Sequence, residues 1–366
     1  QKVLQTASAG QARFDHDPIT GESKGLLIEE ARTNQITVSA NFDTVSTNQG
    51  IDVIQNYSIA PDGSKTTVLW TAQSGSGWHR VIQSLGTVTA GTYKTASLYA
   101  RAGFAEGNGN DIGIAFNNNG SWRVSANFNL DTGAFTKSSS GYAGIEYVGN
   151  GWYRCWASGS ALATDAMYSY IFPGQNSPVQ YNADGTSNVE VWGLQVESGT
   201  YPTSYIPTSG SAVTRSLDSV QMLNFDNVAS GNEGTAFIDW TIGGSDGGQE
   251  YQFRMENSDG GNGLAIFYDD PNVYATNWNV SNSGTVTTST ARNKAAVTYS
   301  QSEGTYRHYV NGTAGSGSNT YDGRYAPNRL FLGASSSSGA SQQYIKKFAF
   351  YPQRLSNSTL ISLTED

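Results

Sequence analysis

The sequence predicts an all-β protein: two antiparallel β-sandwich (jelly-roll) domains in tandem, followed by one short C-terminal helix. Three observations carry this. Of 366 residues, 42 are Gly and only 14% are charged, with Ser, Thr and Asn abundant, which suits short strands joined by polar turns and not helices. Short apolar runs recur along the chain, separated by Gly/Asn/Asp/Ser clusters at the spacing of a sandwich. The stretch Asn188-Val-Glu-Val-Trp-Gly-Leu-Gln-Val-Glu197 alternates as a half-buried strand, with Trp192, Leu194 and Val196 on one side. A Pro/Ser/Thr-rich run follows it, in which Pro202 and Pro207 stop any ladder and favour exposed, extended chain. The chain therefore divides into an N-terminal attachment segment 1–35, a sandwich over 36–200, a linker 201–216 and a second sandwich over 217–366.

Within the first 35 residues, Asp17-Pro18 marks a tight turn, and the apolar triplet Leu26 to Ile28 is expected to anchor the segment on the first sandwich. Strands are expected at 66–71, 78–84, 94–100, 112–116, 122–130, 145–148, 152–157, 167–172 and 188–197. In the second sandwich they are expected at 235–242, 251–256, 264–268, 273–280, 294–299, 306–310, 330–332 and 344–351. The run 356–363 reads as the terminal helix, with Ser356 as its N-cap. Arg154 shares a face with Trp152 and Trp156, which suggests stacking or an ion pair.

Charge and cysteine content narrow the function. A net charge of −9 argues against nucleic acid, whose phosphates need clustered Lys and Arg. The single Cys155 rules out an intramolecular disulfide, so packing alone holds the fold, as suits a chain folded in a reducing cytosol. No apolar run approaches the roughly 18 residues of a membrane helix, and Gln1-Lys-Val-Leu4 lacks the core of an export signal. Neither membrane insertion nor signal-directed export is expected.

Several strings resemble a module frequent in virion proteins of tailed bacteriophages, in tail-fibre, receptor-binding or decoration roles. They are Ala12-Arg-Phe-Asp15, Gly25-Leu-Leu-Ile-Glu-Glu-Ala-Arg-Thr-Asn34, Gly149-Asn-Gly-Trp-Tyr-Arg-Cys155, Val191-Trp-Gly-Leu-Gln-Val-Glu197 and Tyr201-Pro-Thr-Ser-Tyr-Ile-Pro-Thr-Ser-Gly-Ser-Ala-Val-Thr-Arg215. This resemblance spans the first 215 residues and implies a carbohydrate-binding-module-like jelly roll. Tyr309-Val-Asn-Gly312, Leu330-Phe-Leu-Gly333, Ile345-Lys-Lys-Phe-Ala-Phe-Tyr-Pro352 and Arg354-Leu-Ser356 resemble the end of concanavalin A-like, laminin-G-like sandwiches. Such sandwiches serve many functions; the resemblances mark the strands of Trp152, Trp156, Trp192, Phe348 and Phe350 as framework, which implies that these side chains are core. Together the resemblances imply a virion component made in the host cytoplasm, in contact with other virion proteins. A homo-oligomer is expected, with the trimer as the form phage fibres commonly take.

Catalysis is not expected. Gly243-Gly-Ser-Asp-Gly247 matches a nucleophile-elbow pattern, but a strand and not a helix follows it, so a hairpin loop is the better reading. Asp269-Asp270 before Pro271 reads as a turn, the closely spaced acids of sandwich glycosidases are missing, and His16, His79 and His308 lack metal spacing. No cofactor is assigned. A structural calcium at Asp62-Gly63 or Asp184-Gly185 stands open beside the turn reading of both. Sugar binding needs aromatic faces beside hydrogen-bonding side chains. Its candidates are Trp78 with His79, Trp122 with Arg123, Tyr142, and Tyr274 with Thr276 and Trp278, each weighed against the alternative that aromatics fill sandwich cores.

Overall fold

A computed structural model describes residues 4–8, 10–42, 46–103, 110–138, 140–174, 178–229, 232–257, 263–277, 281–288, 292–316, 327–333 and 341–365. It divides into two compact units, one built on 32–215 and the other on 7–17, 21–31 and 216–366. Both are antiparallel sandwiches. Among the described residues, no helix is long and apolar enough to cross a membrane.

In the first unit two six-stranded sheets face each other. One runs in the order Phe135–Lys137, Ser121–Asn129, Asp111–Asn118, Asp165–Pro173, Arg80–Val88, Thr47–Gln49. The other runs Tyr142–Gly149, Trp152–Ser160, Tyr93–Ala102, Asn188–Ser198, Val68–Ala72, Ile51–Gln55. Alternate residues of both sheets, among them Trp70, Leu98, Ile114, Phe116, Phe128, Val191 and Leu194, meet in one buried core. Cys155 lies in that core as a free thiol, its pKa pushed well up by burial.

The strand Asn188–Ser198 departs from simple alternation. Gly193 adopts φ +68 and the pairing with Tyr93–Ala102 slips between Trp192 and Gln195. Val189 and Val191 point to the core before the slip, Leu194 and Val196 after it. The bulge thus puts Trp192 on the opposite face from Leu194, which strict alternation does not allow. Trp192 is buried there against Tyr99, Trp152 and Tyr205, outside the sandwich core. Trp156, expected in the core, also faces outward, because Cys155 and Ala157 take the inward positions beside it. It packs over Gly144, where a Cβ would stand 2.6 Å from Trp156 Nε1.

The proline-punctuated run after this strand is not an exposed tether. Tyr201, Thr203, Ile206 and Thr208 are buried on the first sandwich. Glu197 accepts the Thr203 amide and hydroxyl, each at 2.8 Å, and Gln195 Oε1 accepts the Ile206 amide at 2.7 Å. Asn34 Nδ2 donates to the Ile206 carbonyl at 2.9 Å, and an Arg154 terminal nitrogen donates to the Thr203 carbonyl at 2.6 Å. Arg154 also lies over the Tyr99 ring, so its role is stacking and carbonyl binding. The prolines do stop a ladder, but side chains from other strands replace it as partners for the backbone.

The second unit pairs a seven-stranded sheet with a six-stranded one. The first runs Phe14–His16, Ser23–Ile28, Gln342–Tyr351, Glu233–Gly244, Arg292–Ser300, Thr305–Val310, Thr313–Ala314; the second runs Val220–Leu223, Arg329–Leu332, Glu250–Glu256, Gly263–Asp269, Asn272–Asn277, Ser281–Thr287. The expected strand over 273–280 forms as Asn272–Asn277, with 278–280 outside the described residues, and the strand Ser281–Thr287 pairs back on it. Gly243 to Gly247 leads from one sheet to the other, so it is an inter-sheet crossing and not a hairpin. Phe348 and Phe350 flank a core of Trp240, Phe253, Ile266, Val297 and Tyr299.

Of the N-terminal segment, 7–17 and 21–31 belong to this sandwich, and with them the triplet Leu26 to Ile28, contrary to its expected seat on the first. Leu26, Leu27 and Ile28 pair with Ile345, Tyr344 and Gln343, and Ile28 is buried in the second core. Arg13 binds both Glu29, at 2.7 Å, and Asp218. The terminal helix, Asn357–Thr364, forms as expected: Ser356 Oγ accepts the Thr359 amide, and Leu360 packs on Phe237 and Tyr309.

Candidate functional site

In the strand Asp165–Pro173, Met167 and Ile171 point into the first core. Tyr168, Tyr170 and Phe172 therefore stand on the outer face of their sheet. Beside them, the strand Asp111–Asn118 buries Ile112, Ile114 and Phe116 and turns Gly113, Ala115 and Asn117 outward, in register with Phe172, Tyr170 and Tyr168. Two of these three positions are nearly without side chain, and Gly113, Ala115 and Phe172 are themselves buried.

Other strands extend the row. A register slip after Phe116 aligns Trp122 with Asn117, and the Trp122 ring meets Tyr170 edge-on at 5.1 Å while remaining 37% exposed. Tyr170 stacks on Phe172 at 6.3 Å, and Trp78 lies 6.4 Å beyond. The Arg80 guanidinium sits over Trp78 at 4.0 Å and over Tyr170 at 4.8 Å, with Nε donating to Gln49 Oε1 at 2.8 Å. Burial lowers the Arg80 pKa, opposed by the neighbouring Tyr170. Burial raises the Tyr170 hydroxyl pKa, opposed by the Arg80 charge. The result is a strip of four aromatic rings with one cation in it, of which Trp122 is exposed, Trp78 and Tyr170 are half-buried and Phe172 is buried; the three reachable rings suit apolar ring faces that carry polar edges.

The residues singled out in the sequence separate into several places. Trp78 and Trp122 share this strip, joined through Tyr170 and Phe172. His79 turns inward instead, only 4% exposed, with its ring nitrogens 2.8 and 3.1 Å from the carbonyls of Gly50 and Gly75 and its ring 4.6 Å from Tyr181. It pins loops together and offers nothing to a ligand on the face. Arg123 is the extra residue of the slip and donates to the Ser160 carbonyl in the other sheet. Tyr142 is exposed on that other sheet, beside Tyr93 at 5.7 Å. Tyr274 belongs to the second sandwich, stacked on Phe267 at 4.8 Å, with Thr276 buried. Trp278 lies outside the described residues.

Arg80, Tyr168, Tyr170 and Phe172 were not singled out. The signal for three of them was present in Tyr168-Ser-Tyr-Ile-Phe172, where aromatics recur at every second residue and so share one side of a strand.

Asp62 and Asp184 are occupied in turns. Asp62 Oδ1 accepts from the Ser64 amide and hydroxyl, and Asp184 Oδ1 from the Thr186 and Ser187 amides, which holds the Asp184 pKa down. Among the described residues, no three His, Cys, Asp or Glu side chains are grouped to share a metal ion.

No family model matches this chain, and no curated protein matches it. Among solved structures it is similar to the CBM40 module of Ruminococcus gnavus IT-sialidase bound to α2,3-sialyllactose, at 12% identity and TM-score 0.33, over 40% of this chain and 96% of that one. It is similar to the NanB sialidase of Streptococcus pneumoniae at 13% identity and TM-score 0.31, over 40% of this chain and 26% of that one. For a mutant Trypanosoma rangeli sialidase displaying trans-sialidase activity the values are 20% and 0.29, over 35% and 22%. Likenesses this slight carry no argument about function.

Proposed function

We propose that the protein binds glycans without transforming them, through the outer aromatic strip of its first sandwich. The observation that carries this is the placing of the half-buried Trp78 and Tyr170 in one row with the exposed Trp122, joined through the buried Phe172. A pyranose laid on the strip would stack its apolar face on Trp122 and Tyr170 and turn its hydroxyls to Asn117 and Gln49. No cofactor and no catalytic residue enter this reading.

The sequence resemblance supports a surface or tail-fibre-type component of a phage particle as the setting, assembled from chains made in the host cytoplasm and touching other virion proteins. Shallow sites of this kind bind weakly one by one, and a homo-oligomer, such as a trimer, displayed in many copies makes them effective. A purely architectural role is the second reading. It is favoured by Met222 and Leu223, 43% and 57% exposed on the edge strand Val220–Leu223, where a neighbouring subunit would cover them.

A glycan array probed with the assembled protein separates the two. Binding is expected, and Trp122→Ala should weaken it about tenfold, the loss of about one base-strength stacking contact, with thermal unfolding unchanged. Uniform absence of binding by the native protein leaves the architectural role.

A further inference from the structure

We propose that the aromatic strip is built for an acidic saccharide, with Arg80 meeting a carboxylate or sulfate carried by the sugar. This rests on the glycan-binding reading and names its ligand class. Five arginines are neutralised by carboxylates, Arg13 by Glu29 and Asp218, Arg101 by Glu190, Arg254 by Glu256, Arg292 by Asp239 and Arg354 by Glu303, while Arg123 and Arg154 give hydrogen bonds to the backbone carbonyls of Ser160 and Thr203. Arg80 is different. Among the described residues no carboxylate pairs with it, although the chain carries 30 acidic residues against 21 basic ones.

Its position is costly for a cation without a counter-ion, because packing on Trp78 and Tyr170 strips water from the guanidinium. Its one hydrogen bond to the described residues uses Nε and goes to a neutral amide, Gln49. The terminal nitrogens keep their N–H groups for acceptors in the guanidinium plane, the geometry that a carboxylate or sulfate matches with two parallel bonds. Trp78 and Tyr170 hold that plane, so little freedom is lost when an anion docks. Trp122, on the far side of Tyr170, is placed to take the ring of the same or the adjoining sugar. Stacking then supplies affinity for saccharides in general, and Arg80 selects those with a negative charge.

The test is calorimetry on the full chain with three probes: a neutral oligoglucoside, an oligogalacturonate and a sulfated galactan oligosaccharide. One or both acidic probes should bind at least tenfold more tightly than the neutral one, with affinity falling as salt is raised. Which of the two is preferred decides between carboxylate and sulfate. Arg80→Gln should weaken the acidic probe roughly ten- to a hundredfold, the loss of a charge-assisted pair, and leave the neutral probe unchanged. Arg80→Lys, which keeps charge and stem, should retain salt dependence but lose most of the preference; it also carries the comparison if Arg80→Gln unfolds. Equal binding of neutral and acidic probes, unmoved by either variant but weakened by Trp122→Ala, overturns the role of Arg80 and leaves glycan binding standing. No binding of any probe by the native chain overturns both.

Discussion

Glu250 and His308, both buried in the second sandwich, respond to pH in opposite senses. Burial raises the Glu250 pKa from 4.5 to about 7, helped by the nearby acids Glu30 and Asp246 and opposed by Ser245 and Ser341. Burial lowers the His308 pKa from 6.5 to about 4. For Glu250 the folded chain holds a proton that the unfolded chain has lost between pH 4.5 and 7. Its contribution is therefore fully present below pH 4.5 and lost as pH rises through 7. For His308 the unfolded chain gains the proton first, so its contribution is complete above pH 6.5 and lost as pH falls through 4. Between about pH 4.5 and 6.5 the two proton counts cancel, and these groups leave stability nearly level. Glu250→Gln removes one side of the balance. Urea unfolding of that variant should show stability falling with acidification across this window, by at most about 1.4 kcal/mol per pH unit, where the native protein shows a shallower slope. Identical slopes would mean that Glu250 titrates as an ordinary carboxylate.

At the scale of the element, the run 199–208, which precedes the paired strand Val213–Arg215, depends on buried side chains of other strands, Glu197 and Gln195 foremost. Glu197 is buried, and burial raises its pKa; bonds from Gln195 and Thr203 and the charge of Arg154 act against that rise. Glu197→Ala would leave the Thr203 amide and hydroxyl without their acceptor, while the Gln195 amide keeps the carbonyls of Thr203 and Ser204. Chemical denaturation should register a loss of about 2–4 kcal/mol in the first sandwich, and protease should then cut near 201–208, which resists it in the native chain. This element also marks where sequence reading ran out. The prolines were legible, and so was the absence of a ladder. The burial was not, because it rests on partners such as Asn34 and Ile206, 172 residues apart. Gly193 likewise offered no local sign that it would turn Trp192 away from Leu194. The regular strands were legible because period-two patterns need only their own residues. The binding strip was half legible: Trp78 and Trp122 stood out by residue type, whereas their meeting through Tyr170 depends on which strands neighbour one another.

At the scale of the whole molecule, chain order and domain membership part company. The strands Phe14–His16 and Ser23–Ile28 come first in sequence yet complete the sheet of the second sandwich, while Arg32–Asn34 pairs with Val213–Arg215 in the first. Each unit has a core of its own, Ile28 belonging to the second and Ile36 and Phe42 to the first. A cavity made at Ile28 should therefore be felt by one unit only. Ile28→Ala removes a side chain 1% exposed among Ile345 and its neighbours, which costs about 2–4 kcal/mol. In calorimetry the transition of the second sandwich should move down by several degrees, with that of the first unmoved and glycan binding by the Trp122 face retained. A deletion of the first 31 residues should act in the same direction and more strongly, because it also bares the edge of Gln342–Tyr351 to pairing with other chains. An attachment strap that merely lay on the surface would be removable without either effect. A single transition shifted as a whole would instead show that the two cores unfold together.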